Sequence, residues 1–227
     1  MAKKLLIGVP HSTDEEINVL ESYIRRRNVS KVGLELCSDY EEKMRLGADG
    51  YSYQLAGRLE KLGIEVIPLD DRKYVDGALT LGYFLRLCAK DPESEKIKEK
   101  IDAFYWQRDH ALHVRRIKES HFESQYWNTF LSGLYALLEE YTTPADIAIR
   151  FRDVQYNRES FMLERILDTS PEIVVLGSCH IDYLEDCLYQ YSSTRLFRGF
   201  ILPVSLYMAG RNLGLIPDVN PIPSHLR

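Results

Sequence analysis

Short unbroken apolar runs alternate with helical-period stripes through the first 77 residues, and the same rhythm returns after residue 150. Leu5-Leu6-Ile7-Gly8-Val9 stops at Pro10 and reads as a buried strand. Ile17, Leu20 and Ile24 then share one face of a helix, which Thr13 and Glu16 open as a capping box. A second strand covers Lys31-Val32-Gly33-Leu34-Glu35-Leu36, and Ser38 or Asp39 caps the next helical stretch. Leu55, Leu59 and Leu62 form a stripe that closes at Gly63, a helix-stop signal. Ile64 to Leu69 makes a third strand and runs into Asp70-Asp71-Arg72. Strands alternating with helices predict a parallel sheet with right-handed crossovers.

Residues 78–148 have a different pattern. Apolar and charged positions alternate at helical spacing, aromatics are frequent, and Pro92 is the one proline before Pro144. We read about three helices here, with the first break at Asp91-Pro92-Glu93-Ser94. After this stretch Asp153 can cap a helix to about Thr169, Ile173 to Gly177 is a strand, and a short helix follows His180. Phe200-Ile201-Leu202 reads as a last strand and the chain beyond Pro203 as an irregular tail. The expected fold is therefore α/β: one domain over 1–227, a mostly parallel sheet flanked by helices, with a helical insertion or cap at 78–148.

Composition narrows the function. With 29 basic and 34 acidic residues the net charge is −5, so no cationic excess exists to neutralise phosphates, and nucleic acid is not an expected partner. No apolar run approaches the roughly 18 residues of a membrane span. The N-terminal apolar run is too short for a signal peptide. The four cysteines, Cys37, Cys88, Cys179 and Cys187, have neither CxxC nor zinc-ribbon spacing. A cytoplasmic protein with reduced thiols is the expectation.

The chemistry concentrates at strand ends. Gly8-Val9-Pro10-His11 and Gly177-Ser178-Cys179-His180 each join an apolar strand to a helix through Gly-x-x-His. The 13 glycines and 6 histidines of the chain give about 0.3 chance matches, so two at equivalent positions stand out. Open parallel sheets bind ligands at the carboxyl ends of their strands. Glu35, between apolar neighbours in the second strand, is costly to bury unless paired or metal-bound; an edge strand that leaves it in water is the plainer alternative. Arg158 lies about 40° from Val154 on the helical wheel, inside the apolar stripe. It needs an acidic partner there or a stem that snorkels to water. Asp70, Asp71 and Arg72 read mainly as a solvated turn, although one acid at a strand end can join a site. His110, His113 and His121 share a helix face, but only the first two are close enough along the axis for one ion, and a solvated face is the simpler reading. Cys179 reads as a buried thiol lining its turn rather than a nucleophile.

These motifs resemble the TraB/PrgY–TIKI–ChaN–erythromycin-esterase superfamily, which is marked by two Gly-x-x-His motifs, a glutamate after the first helix and an arginine on the helix before the second motif. The matching regions are 4–36 and 153–188; residues between them have no counterpart. The resemblance implies a strand-end site made of His11, Glu35, Arg158 and His180, in a group that includes metal-dependent proteases, macrolactone esterases and haem binders. The expected function is hydrolysis of an ester, amide or peptide bond in a small-molecule or peptide substrate. Glu35 would act as base or metal ligand, with His11 and His180 binding a divalent cation (Zn, Mn, Co or Fe) or shuttling protons. Arg158 would orient Glu35 or hold a developing oxyanion. A metal-free route with histidine as base fits the same residues. The alternatives are a non-catalytic binding module for an anionic small molecule or peptide, and a regulatory interaction protein; a homo-oligomer is compatible with all three.

Overall fold

A computed structural model describes residues 4–213 except 12, 46, 47, 49, 116–120 and 198, with side chains at 108–126 left aside. The elements run β1 (Lys4–Val9), α1 (Asp14–Arg27), β2 (Lys31–Cys37), α2 (Tyr40–Arg45), α3 (Tyr51–Lys61), β3 (Glu65–Asp70), α4 (Arg72–Lys90), α5 (Ser94–Arg115) and α6 (His121–Glu139). Then follow α7 (Pro144–Thr169), β4 (Ile173–Gly177), a 3₁₀ turn (Ser178–His180), α8 (Ile181–Cys187), β5 (Tyr191–Phe197), β6 (Phe200–Pro203) and α9 (Val204–Asn212). The fold is α/β, as the alternation predicts.

The chain divides into two compact units. The first comprises residues 1–40, 49–71 and 159–227; the second comprises 41–48 and 72–158. The first holds the whole six-stranded sheet, ordered β3-β2-β4-β1-β5-β6. All neighbours are parallel except β5 and β6, which pair antiparallel at the edge. The central strands are apolar on both faces because helices cover both, and β4 is buried along its whole length. Leu6, Leu69, Met162, Ile166, Val174, Leu176, Ile181 and Leu184 belong to one core cluster of this unit. In the second unit Phe104, Trp127 and Phe130 stack against one another, as do Tyr83 and Phe130. Gly82 and Gly133 there lie against Phe151 and Thr80.

Local signals explain most boundaries. Thr13 caps α1 by accepting the Glu16 N–H at 3.3 Å, and acids fill the first turn while arginines fill the last. Gly63 follows α3 at φ 75, in the left-handed region that its lack of a side chain permits. The break between α4 and α5 falls at 91–93, as the Asp-Pro-Glu signal requires.

Four expectations need correction. The helix before β4 starts at Pro144, not Asp153, because Thr143 accepts the Asp146 N–H and Asp146 takes both the Thr142 and Thr143 hydroxyls. Proline at the first helical position then costs no hydrogen bond. Leu62 caps α3 and is 38% exposed, so the buried residues of the helix are Leu55, Ala56 and Leu59. Strand β5 was hidden by its polar Ser-Ser-Thr-Arg content, which packs between β1 and β6. Residues 204–212, expected to be irregular, form α9; residues 214–227 lie outside the described part.

Candidate active site

Strand order brings the motifs together. β2, β4 and β1 are consecutive and parallel, so their carboxyl ends lie side by side with β4 in the middle. Glu35 comes from β2, Gly177 to His180 from the end of β4, and His11 from just past β1. The register of β2 against β3 shifts between Leu34 and Cys37, the irregularity that spans Glu35. Such bulges re-aim a side chain near a site. His11 has φ 55, a left-handed conformation uncommon outside glycine and found where surrounding structure enforces it.

The carboxylate of Glu35 is the hub. Its Oε2 accepts the Gly177 N–H at 2.6 Å and stands 3.3 Å from His11 Nε2; its Oε1 stands 3.7 Å from His180 Nε2. A Cβ added at Gly177 would lie 3.1 Å from Glu35 Oε2 and 3.5 Å from both His11 Nε2 and Cys179 Sγ. The motif glycine therefore leaves open the space over the middle strand in which groups from both flanking strands meet. Gly8 does a different job. A Cβ there would come within 2.6 Å of Ile181 Cγ1, so the first motif's glycine lets α8 dock on β1.

The two histidines differ in setting. His180 is 1% exposed, and its Nδ1 pairs with Glu159 Oε1 of α7 at 3.0 Å. Burial works against charge on this ring, but hydrogen bonding with Cys179, Glu159 and Glu35 outweighs it. The ring's pKa is held well above the ordinary imidazole range. The His11 side chain is 30% exposed, its ring packs on Tyr51 at 4.9 Å, and its Nε2 is buried with no hydrogen-bond partner. The Tyr51 hydroxyl is also buried without one; burial, then the charge of Glu16, pushes its pKa up.

Three of the four site residues expected from the sequence thus converge: His11, Glu35 and His180. Arg158 is buried on α7 and falls in the second compact unit. Its neighbour Glu159 is the α7 residue that the first unit brings to His180. Glu159 carried no signal beyond adjacency to Arg158, and Tyr51 none at all. Cys179 is exposed rather than buried, beside its histidine. Asp70 is buried, with its carboxylate accepting the Asp71 N–H, while Arg72 pairs with Asp76 at 3.2 Å. The turn is therefore not simply solvated. The side chains of His110, His113 and His121 lie outside the described residues.

The donor types present are ones that divalent cations accept. It offers two imidazole Nε2 atoms and one carboxylate, with a second carboxylate on His180 Nδ1 of the kind that orients metal-bound histidines. Their present spacing is that of imidazole–carboxylate pairs, and no group of three or more His, Cys, Asp and Glu side chains is arranged to hold an ion among the described residues. Among those residues, too, no helix is long and apolar enough to cross a membrane. No family model, curated protein or solved structure matches the chain.

Proposed function

We propose that the chain is a hydrolase of ester, amide or peptide bonds, as its resemblance to the Gly-x-x-His superfamily implies. The observation that carries the reading is the position of Glu35, with one motif imidazole facing each of its oxygens. In this reading Glu35 takes a proton from the attacking water. His180, charged and braced by Glu159, stabilises negative charge as the tetrahedral intermediate forms and then protonates the leaving group. His11, more exposed than His180 and 3.3 Å from Glu35 Oε2, holds the water or relays its proton. A divalent cation (Zn, Mn, Co or Fe) is part of the proposal. In that route His11, Glu35 and a deprotonated His180 would hold it, and when bound it would supply Lewis-acid polarisation in place of the His180 proton.

The test is turnover on a panel of esters, amides and short peptides, with metal content measured on the same preparation. Glu35→Gln and His180→Gln should each lower kcat/KM by about 10²–10⁴-fold. Wild-type turnover that survives both substitutions would refute the assignment. Stoichiometric metal lost in His11→Ala and His180→Ala would establish the metal route. A second reading, a binding module for an anionic small molecule or peptide, draws on the charge held at His180. Saturable binding of carboxylate or phosphate compounds, without turnover on any substrate of the panel, would favour it.

A further inference from the structure

Arg195 is the buried cation of the sheet, only 4% exposed, on β5 directly beside Gly8 in the β1–β5 ladder. Its Nη1 donates to the Ser178 carbonyl and its Nη2 to Asp182 Oδ1, while the Tyr207 ring lies 5.0 Å from the guanidinium. Its Nε has no hydrogen-bond partner. Asp182 is 68% exposed, so the ion pair is only half withdrawn from water. A buried guanidinium with one wet partner is a poor device for stability alone, because well-packed apolar residues commonly serve as well as a buried ion pair. What an apolar residue cannot do is grip a carbonyl.

That carbonyl lies inside the second motif. Ser178 O also accepts the Ile181 N–H, which closes the 3₁₀ turn. The residue before Ser178 gives its N–H to Glu35, and the residue two after it presents Nε2 to the same carboxylate. Two hydrogen bonds on one carbonyl fix the plane of the Ser178–Cys179 peptide, and with it the direction in which His180 leaves the turn. The sequence offers no hint of this, since Arg195 sits in a polar stretch with no motif.

We propose that Arg195 is a positioning residue: by holding the Ser178 carbonyl it keeps the Gly177 amide and the His180 imidazole on Glu35. The proposal rests on the reading of Glu35 and His180 as the working site, but its test reads geometry and not turnover. The ring ¹⁵N shifts of His180 and the amide ¹H shift of Gly177 are recorded in the full chain at one pH. In Arg195→Met the Gly177 amide should move upfield by several tenths of a ppm as its bond to Glu35 lengthens, and the His180 ring signals should move towards those of a histidine in water. Arg195→Lys, which keeps one donor, should restore part of both shifts. Tyr207→Leu and Asp182→Asn should lower the urea midpoint and leave both signals in place.

Wild-type signals in a folded Arg195→Met protein would overturn the proposal. So would equal shifts in Tyr207→Leu, which would mean general loosening. Should Arg195→Met fail to fold, Arg195→Lys decides: intermediate shifts support the role, and wild-type shifts or a full loss of both signals refute it. Expected shifts in a protein whose wild type turns over no substrate would retire the hydrolase reading and leave this one standing.

Discussion

Gly177→Ala isolates the contact on which the site is built. The backbone of Gly177, at φ −54 and ψ 139, suits any L-residue, so the substitution carries no backbone strain. By narrowing the unfolded ensemble it should stabilise the fold by about 0.4–1 kcal/mol. Against that, the new Cβ would lie 3.1 Å from Glu35 Oε2, so the carboxylate must retreat by a few tenths of an ångström. The same oxygen accepts the Gly177 N–H at 2.6 Å. A charge-assisted bond of this kind contributes about 1.5–3 kcal/mol, and stretching it forfeits about 1 kcal/mol. The two effects nearly cancel, so the urea midpoint should stay within about 1 kcal/mol of wild type. Function should not escape so lightly, because a misplacement of about 1 Å at a reacting group costs about 10²-fold. We expect turnover to fall by about tenfold for the smaller shift here. The His180 pKa should also drop, since one of the groups holding its charge has moved away. Urea unfolding, turnover and an NMR titration of the histidines read the three quantities separately. A folded variant with unaltered His180 titration and full activity would refute the argument that Gly177 leaves room for Glu35. A loss of more than about 2 kcal/mol would show that the Cβ meets something rigid rather than a movable carboxylate.

The other motif positions give contrasting expectations. Gly8→Ala places a Cβ 2.6 Å from Ile181 Cγ1 and 3.3 Å from Ser178 Cα, and should cost about 1–3 kcal/mol in urea unfolding; Ile181→Ala in the same chain should be less harmful than in wild type, and plain additivity would contradict the contact. His11→Gly should raise stability by about 1 kcal/mol by relieving φ 55 while abolishing turnover; lowered stability would show that the His11 contacts outweigh its backbone strain. For His180 the folded pKa lies above the unfolded one, so its contribution is complete below about pH 6.5 and is lost as pH rises through the folded value. His180→Gln should therefore flatten the stability curve on the alkaline side, and an unchanged slope would refute the assignment. Glu172 has the opposite sign. Burial opposes its charge, but the Ser30 N–H at 2.6 Å, the Ser30 hydroxyl at 2.9 Å and the Lys31 N–H at 3.0 Å outweigh it and hold its pKa below the usual carboxylate range. Its contribution is present above the unfolded pKa and lost as pH falls through the folded one, so Glu172→Ala should cost about 1–2 kcal/mol near neutrality and least in acid.

The legible parts of this protein are those that short-range pattern determines. Leu5 to Val9 and Ile173 to Gly177 announce buried strands because both faces of a central parallel strand are covered, leaving no polar position to break the run. Thr13 and Glu16 announce a helix because the orphan N–H groups of a first turn need a nearby acceptor. The illegible parts depend on contacts far along the chain. Strand β5 is polar in sequence because Ser193 is matched by Glu185 and Arg195 by Ser178 and Asp182, none of which a local window reveals. Glu159 is one acid among many on a long helix until the fold sets it 3.0 Å from His180.

The repeated Gly-x-x-His could be read, yet the two copies turn out not to be equivalent, and strand order is the reason. β4 lies between β1 and β2, so its glycine sits beneath the space in which Glu35 and His11 meet from either side. β1 instead has β4 on one side and β5 on the other, and at its glycine the crowding comes from Ile181. The histidines inherit the asymmetry. The one after β4 is buried between two carboxylates, which raise its pKa, while the one after β1 is partly exposed and stands 3.3 Å from Glu35 Oε2. A pair of like motifs thereby places a buried and a partly exposed imidazole on opposite oxygens of one carboxylate. The proposed water activation uses that asymmetry, which follows from the place of β4 between β2 and β1.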